Sequence, residues 1–91
     1  MLDELFAIIE DRKAHPIEGS YTNLLLNAGE NKITKKIGEE AIEVIVAAKA
    51  EGDQRVIEET ADLFYHTLVL LASRGLRLAD VEDELRRRHG K

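Results

Sequence analysis

The stretch Lys35–His66, KKIGEEAIEVIVAAKAEGDQRVIEETADLFYH, reads as two helices folded back on each other at Gly52. Ala, Glu, Lys, Ile and Leu dominate both arms, proline is absent, and Glu51-Gly52-Asp53 supplies a stop and a restart. The first arm places Lys36, Glu40 and Glu43 at spacings of four and three, hence on one face, with Glu39 beside them. The second arm places Glu59, Asp62 and His66 at spacings of three and four, with Glu58 beside them. Counting outward from position 51 sets Glu43 level with Glu59, Glu40 with Asp62 and Lys36 with His66. Two polar stripes then meet along one seam.

Four carboxylates in a partly apolar seam repel one another, so they take up protons or enclose a cation. An all-oxygen ligand set selects a hard ion, and Mg²⁺ shares its coordination with phosphate oxygens. Lys32, Lys35 and Lys36 precede the acidic stripe and suit polyphosphate oxygens, with Lys36 nearest the seam. The same spacings also make ordinary solvated ion pairs, here Lys35–Glu39, Lys36–Glu40 and Arg55–Glu59. On the residues alone His66 reads first as a hydrogen-bonded bundle residue, Ser20 and Thr22 as helix caps, and Phe6, Phe64 and Tyr65 as core.

Outward from the hairpin, Leu2, Leu5, Phe6 and Ile9 make one apolar stripe of a first helix that stops before His15-Pro16. Ser20 caps a short segment ending near Gly29. The long arm is expected over residues 31–51, and its partner, capped by Asp53, runs to about Ser73. A last helix carries Leu78, Val81 and Leu85 on one face, acids at its start and Arg86–His89 at its end, as the helix dipole favours. Leu63, Phe64 and Leu68–Ala72 surround the second arm almost completely, and such a helix needs neighbours on every side. The expected architecture is an all-α helical bundle built around an antiparallel helical hairpin and completed by dimerisation or a larger homo-oligomer. Residues 1–91 are expected to form a single domain.

A formal charge of −5 argues against nucleic-acid binding driven by phosphate neutralisation. The N-terminus does not resemble a signal peptide, and the longest apolar run, Leu68–Ala72, is too short to span a bilayer, so no membrane partner is expected. Cysteine is absent, which removes thiolate metal sites and suits the cytoplasmic location expected here.

Glu39-Glu40-Ala41-Ile42-Glu43 followed by Glu59-Thr60-Ala61-Asp62 resembles the E-E-x-x-E…E-x-x-D pattern of the MazG-like all-α nucleotide pyrophosphohydrolases. Ser20-Tyr21-Thr22, Lys35-Lys36, Gly38-Glu39-Glu40-Ala41, Ala61-Asp62-Leu63 and Tyr65-His66 narrow the resemblance to the phosphoribosyl-ATP pyrophosphohydrolase family of histidine biosynthesis, over nearly the whole chain. The resemblance implies hydrolysis of phosphoribosyl-ATP to phosphoribosyl-AMP and pyrophosphate, the second step of that pathway. It implies Mg²⁺ as cofactor, with Glu40, Glu43, Glu59 and Asp62 as its ligands and Glu39 close by as ligand or base. Lys36 and Glu39 are the candidate catalytic residues. Lys32, Lys35, Lys36, Ser20, Thr22 and His66 are the candidate substrate contacts. The resemblance also implies a helical homodimer, and a domain that stands apart from the cyclohydrolase to which it is fused in many organisms.

Three other functions compete. A house-cleaning NTP pyrophosphatase of the same superfamily would use the same seam on another nucleotide. A di-iron carboxylate bundle wants two Glu-x-x-His units, and the sequence has none. A non-catalytic helical assembly module would carry an acidic seam indifferent to Mg²⁺.

Overall fold

The computed structural model describes residues 1–90, and all of their regular structure is helical. The helices are α1 (Leu2–Ala14), α2 (Tyr21–Ala28), α3 (Glu30–Val46), α4 (Asp53–Ser73) and α5 (Leu78–His89), with a π-helical turn at Ala47–Glu51. α3 and α4 form the antiparallel hairpin, and α4 also packs on α1 and α2. At the open end of the hairpin Arg74 pairs with Glu30 at 2.7 Å.

Local chemistry sets the ends of these elements. Asp3 and Glu4 lie in the first turn of α1 and Arg12 and Lys13 in its last, each complementing the dipole. The residue before Pro16 is excluded from helical backbone, and α1 stops there. Buried Asn23 closes the loop to α2: its Oδ1 accepts from Ile17 N–H at 2.9 Å and its Nδ2 donates to the Arg12 carbonyl at 2.7 Å. Ser20 Oγ accepts from Asn23 N–H as the N-cap of α2, as the sequence leads one to expect. Gly29 and Gly52 sit at φ of 96° and 91°, which only glycine adopts freely, and so make the two sharp turns around α3. The expected cap at Asp53 does not form; Gly52 is the N-cap, and Asp53 contributes only its charge to the first turn of α4. The expected α-helix over 31–51 ends at Val46, because its last turn is π-helical and closes by Gly52 N–H to Ala47 C=O at 3.1 Å. At the start of α5, Asp80 accepts from Arg77 N–H at 2.9 Å and from its guanidinium at 2.8 Å.

The core is small. Ile9 of α1, Leu25 of α2, Ile33 of α3 and Val69 of α4 are fully enclosed, and Phe6, Leu68 and Ala72 complete the cluster. Each fully buried aliphatic side chain contributes about 1.5–3 kcal/mol, so four of them lock four helices at one point. The far side of α4 is less covered. Phe64, expected in the core, is 49% exposed, and Tyr65 is half-buried. The apolar girdle of α4 is therefore not enclosed by this chain alone. No residue of α5 is buried.

Candidate active site

The core at Ile33 and Val69 holds α3 and α4 together, and the residues about one to three turns nearer Gly52 form the polar seam. Glu40, Glu43 and Glu59 each offer a carboxylate oxygen within 4.8 Å of the others. Glu40 and Glu59 are 7% and 4% exposed, while Glu43 is open to solvent. Each buried carboxylate has one oxygen facing a cation: Glu40 Oε1 lies 3.9 Å from Lys36 Nζ, and Glu59 Oε1 lies 2.6 Å from Arg55 Nη2. The second oxygens, Glu40 Oε2 and Glu59 Oε2, are buried without a hydrogen-bond partner among the described residues. An ionised oxygen left in that state is costly. The Glu59 carboxyl is pushed above its usual range first by the close approach of the Glu43 carboxyl, then by burial and by the Glu43 charge; Arg55 and Glu40 only partly oppose this. Three close carboxylates with two orphaned oxygens have the donor chemistry of a hard-cation site.

Glu59 thus meets both Glu40 and Glu43, and not Glu43 alone as the count from position 51 sets it. Asp62, one turn further along α4, is exposed and outside the three-carboxylate group. The count assumes α geometry as far as Glu51, and the π turn carries more residues per turn than that.

Lys36 is the cation of the α3 side. It pairs with Glu39 at 3.6 Å as well as with Glu40, so Glu39 is engaged by Lys36 and not by the expected Lys35. Burial lowers the Lys36 pKa, but Coulombic interaction with the Tyr21 oxygen and with the Glu39 and Glu40 carboxylates outweighs it and leaves the ammonium above its usual value. Lys32 and Lys35 are exposed on the preceding turns, and Glu39 is exposed beside Lys36.

His66, 5% exposed, lies one turn beyond Asp62. Its Nδ1 is 2.7 Å from the Asp62 carbonyl, which can only accept, so Nδ1 carries the proton. In the neutral ring Nε2 then accepts from the Tyr21 hydroxyl at 3.2 Å. Thr22 Oγ1 bonds the Tyr65 hydroxyl, and Tyr21 stacks on Tyr65 with centroids 6.2 Å apart. Two adjacent pairs, Tyr21-Thr22 and Tyr65-His66, therefore stitch α2 to α4. Ser20 Oγ, Thr22 Oγ1 and both ring nitrogens of His66 each have a hydrogen-bond partner within the chain. The sequence pattern makes His66 a bundle residue or a substrate contact and assigns Tyr21 no role. The signal was present in the paired motifs, but their partnership is tertiary.

The profile described as phosphoribosyl-ATP pyrophosphohydrolase matches residues 2–89. The phosphoribosyl-ATP pyrophosphatase of Clostridium acetobutylicum is 50% identical over 91 residues, covering 100% of this chain and 83% of that protein. The protein of the same name from Metallosphaera sedula is 53% identical over 88 residues, covering 97% of this chain and 95% of that one. The histidine biosynthesis bifunctional protein HisIE of Gloeobacter violaceus is 56% identical over 87 residues, which are 96% of this chain and 39% of that protein.

Proposed function

The chain belongs to the phosphoribosyl-ATP pyrophosphohydrolase family, and on that premise we propose how its polar seam carries out the reaction. It is a hydrolase of histidine biosynthesis that converts phosphoribosyl-ATP and water to phosphoribosyl-AMP and pyrophosphate. The observation that carries the site assignment is the pair of buried carboxylates, Glu40 and Glu59, each with an unpartnered oxygen in a group of three acids.

Glu40, Glu43 and Glu59 would hold Mg²⁺, with Asp62 adding a fourth carboxylate from the exposed side. When bound, the ion supplies Lewis acidity toward phosphate oxygens and offsets their charge. The Lys36 ammonium, kept protonated by its acidic neighbours, binds phosphate oxygens and stabilises charge on the departing pyrophosphate. Lys32 and Lys35 add positive field on the approach to it. Glu39 is exposed and lies outside the buried group, so its carboxylate can accept a proton from water. The water oxygen bonds to the α-phosphorus, the bond from that phosphorus to the α–β bridging oxygen breaks, and pyrophosphate leaves. Thr22 and His66 serve the site by bracing α2 against α4, and Ser20 serves it by capping α2.

The protein acts as a homodimer or larger homo-oligomer of single-domain subunits. Supporting this, an apolar groove of about 480 Å³ runs between α1, α4 and α5, lined by Leu2, Phe64, Leu71, Val81 and Leu85 among others. No helix among the described residues is long and apolar enough to cross a membrane, and a cytoplasmic setting suits a biosynthetic enzyme with a free nucleotide substrate.

The deciding experiment compares pyrophosphate release from phosphoribosyl-ATP and from ordinary nucleoside triphosphates, in Mg²⁺ and in chelator. Mg²⁺-dependent pyrophosphate release selective for phosphoribosyl-ATP is expected. Release of orthophosphate, equal turnover of ordinary triphosphates, or full activity in chelator would overturn the assignment.

A further inference from the structure

Glu59 is gripped from outside the seam. Arg55, one turn earlier on α4, donates from Nη2 to Glu59 Oε1 at 2.6 Å and from Nη1 to Glu58 Oε1 at 2.5 Å. Glu58 is held in turn: its Oε2 accepts from Gln54 Nε2 at 3.1 Å. Together these bonds keep the Glu58 carboxyl below its usual range. The spacings are three and four residues, so Gln54, Glu58, Arg55 and Glu59 form a continuous chain of bonds along the start of α4. Its last link is the buried carboxylate whose other oxygen, Oε2, lacks a partner among the described residues. Glu58 is exposed and stands outside the three-carboxylate group, so its contact with the site runs through Arg55.

We infer that Arg55 is a positioning residue for cation binding: its guanidinium, spanning Glu58 and Glu59, occupies one oxygen of Glu59 and presents the other for ligation. The inference rests on the reading of the seam as a Mg²⁺ site. The guanidinium suits this role because its planar fork reaches two carboxylates at once, which an ammonium on a flexible stem does not. Glu59 then acts through one oxygen in a preset rotamer. Groups that orient a ligand from behind in this way typically change metal affinity by about 10–100-fold when removed.

The opposing view makes Arg55 a mere counter-ion, and the two views differ in sign. Removing a positive charge beside a divalent ion would tighten binding, whereas removing a positioning group weakens it. The experiment measures Mg²⁺ affinity by calorimetry, and by the Mg²⁺-induced rise in melting temperature, at fixed pH and protein concentration. It compares wild type with Arg55→Ala, Arg55→Lys and Glu58→Gln. All three changes are at exposed positions, and helicity in chelator checks their fold. Affinity is expected to fall about tenfold in Arg55→Ala and in Arg55→Lys, and by a smaller factor in Glu58→Gln. Wild-type or tighter binding by Arg55→Ala, or full affinity in Arg55→Lys, would overturn the inference while leaving the Mg²⁺ site intact. A wild-type protein that does not respond to Mg²⁺ would overturn the site assignment, and the role of Arg55 with it.

Discussion

Glu40→Gln separates a metal centre from a structural ion-pair network. The substitution keeps shape and removes one buried charge. Glu40 has two acidic neighbours within 4.8 Å and one cation, Lys36, at 3.9 Å. At 4.8 Å two like charges repel by about 3.5 kcal/mol at an effective dielectric of about 20, and by about 1 kcal/mol in water. Lys36 offsets roughly one neighbour and leaves the other uncompensated. Proton uptake by the seam and the exposure of Glu43 reduce the remainder, so the metal-free mutant is expected to gain about 1 kcal/mol. For a domain of this size that is a rise in melting temperature of about 4–8 °C. The amide can also donate to a neighbouring carboxylate that Glu40 only repels. In Mg²⁺ the order reverses. Wild type gains about 2.7 kcal/mol when the free ion is 100 times its Kd, and the mutant gains far less. Turnover should fall by about 100-fold or more, as expected on losing a ligand of the organising ion. The assay is a thermal melt of both proteins in chelator and in Mg²⁺ at one protein concentration, beside pyrophosphate release. A mutant that melts clearly lower in chelator and still turns over substrate would refute the reasoning, because Glu40 would then be holding the bundle together through Lys36.

Other consequences can be checked separately. Lys36→Ala should raise KM and lower kcat by steady-state kinetics while helicity is retained; unchanged kinetics would reduce Lys36 to a partner of Glu39 and Glu40. Leu25→Ala, at a fully enclosed position, should cost about 2–5 kcal/mol in denaturant unfolding, and a cost below about 1 kcal/mol would mean the four-helix junction repacks freely. Phe64→Asp, in the apolar groove, should shift sedimentation from the oligomer to the monomer while helicity persists; a wild type that sediments as a folded monomer would remove the basis for an oligomer. Asp80 is held below its usual pKa, first by the Arg77 N–H and then by its guanidinium. A depressed carboxylate stabilises the fold above its unfolded pKa and loses that contribution as pH falls through the lower folded value. The start of α5 should therefore loosen only in strong acid in wild type, and should show no such step in Asp80→Asn by amide NMR.

What sequence could determine here is what neighbours along the chain decide. A 3.6-residue repeat puts Glu40 and Glu43 on one face of α3, and Glu59, Asp62 and His66 on one face of α4, wherever those helices lie. Ser20 caps α2, and Gly52 breaks the hairpin, because both act through their own backbone. The family was legible for the same reason, since its motif is a spacing pattern. Tertiary structure decided which groups meet and which are enclosed. The π turn at Ala47–Glu51 altered the register, so Glu59 faces both Glu40 and Glu43 while Asp62 stays outside. The counterparts of Thr22 and Tyr21 lie 43 and 45 residues away, a pairing that local periodicity does not encode. Phe64 looks like core by composition, yet it lies on the side of α4 that its own chain leaves open. Local propensity acts over a few residues, whereas burial and side-chain pairing depend on how whole helices pack, and so the acidic stripes are visible in the sequence but the orphaned oxygens of Glu40 and Glu59 are not.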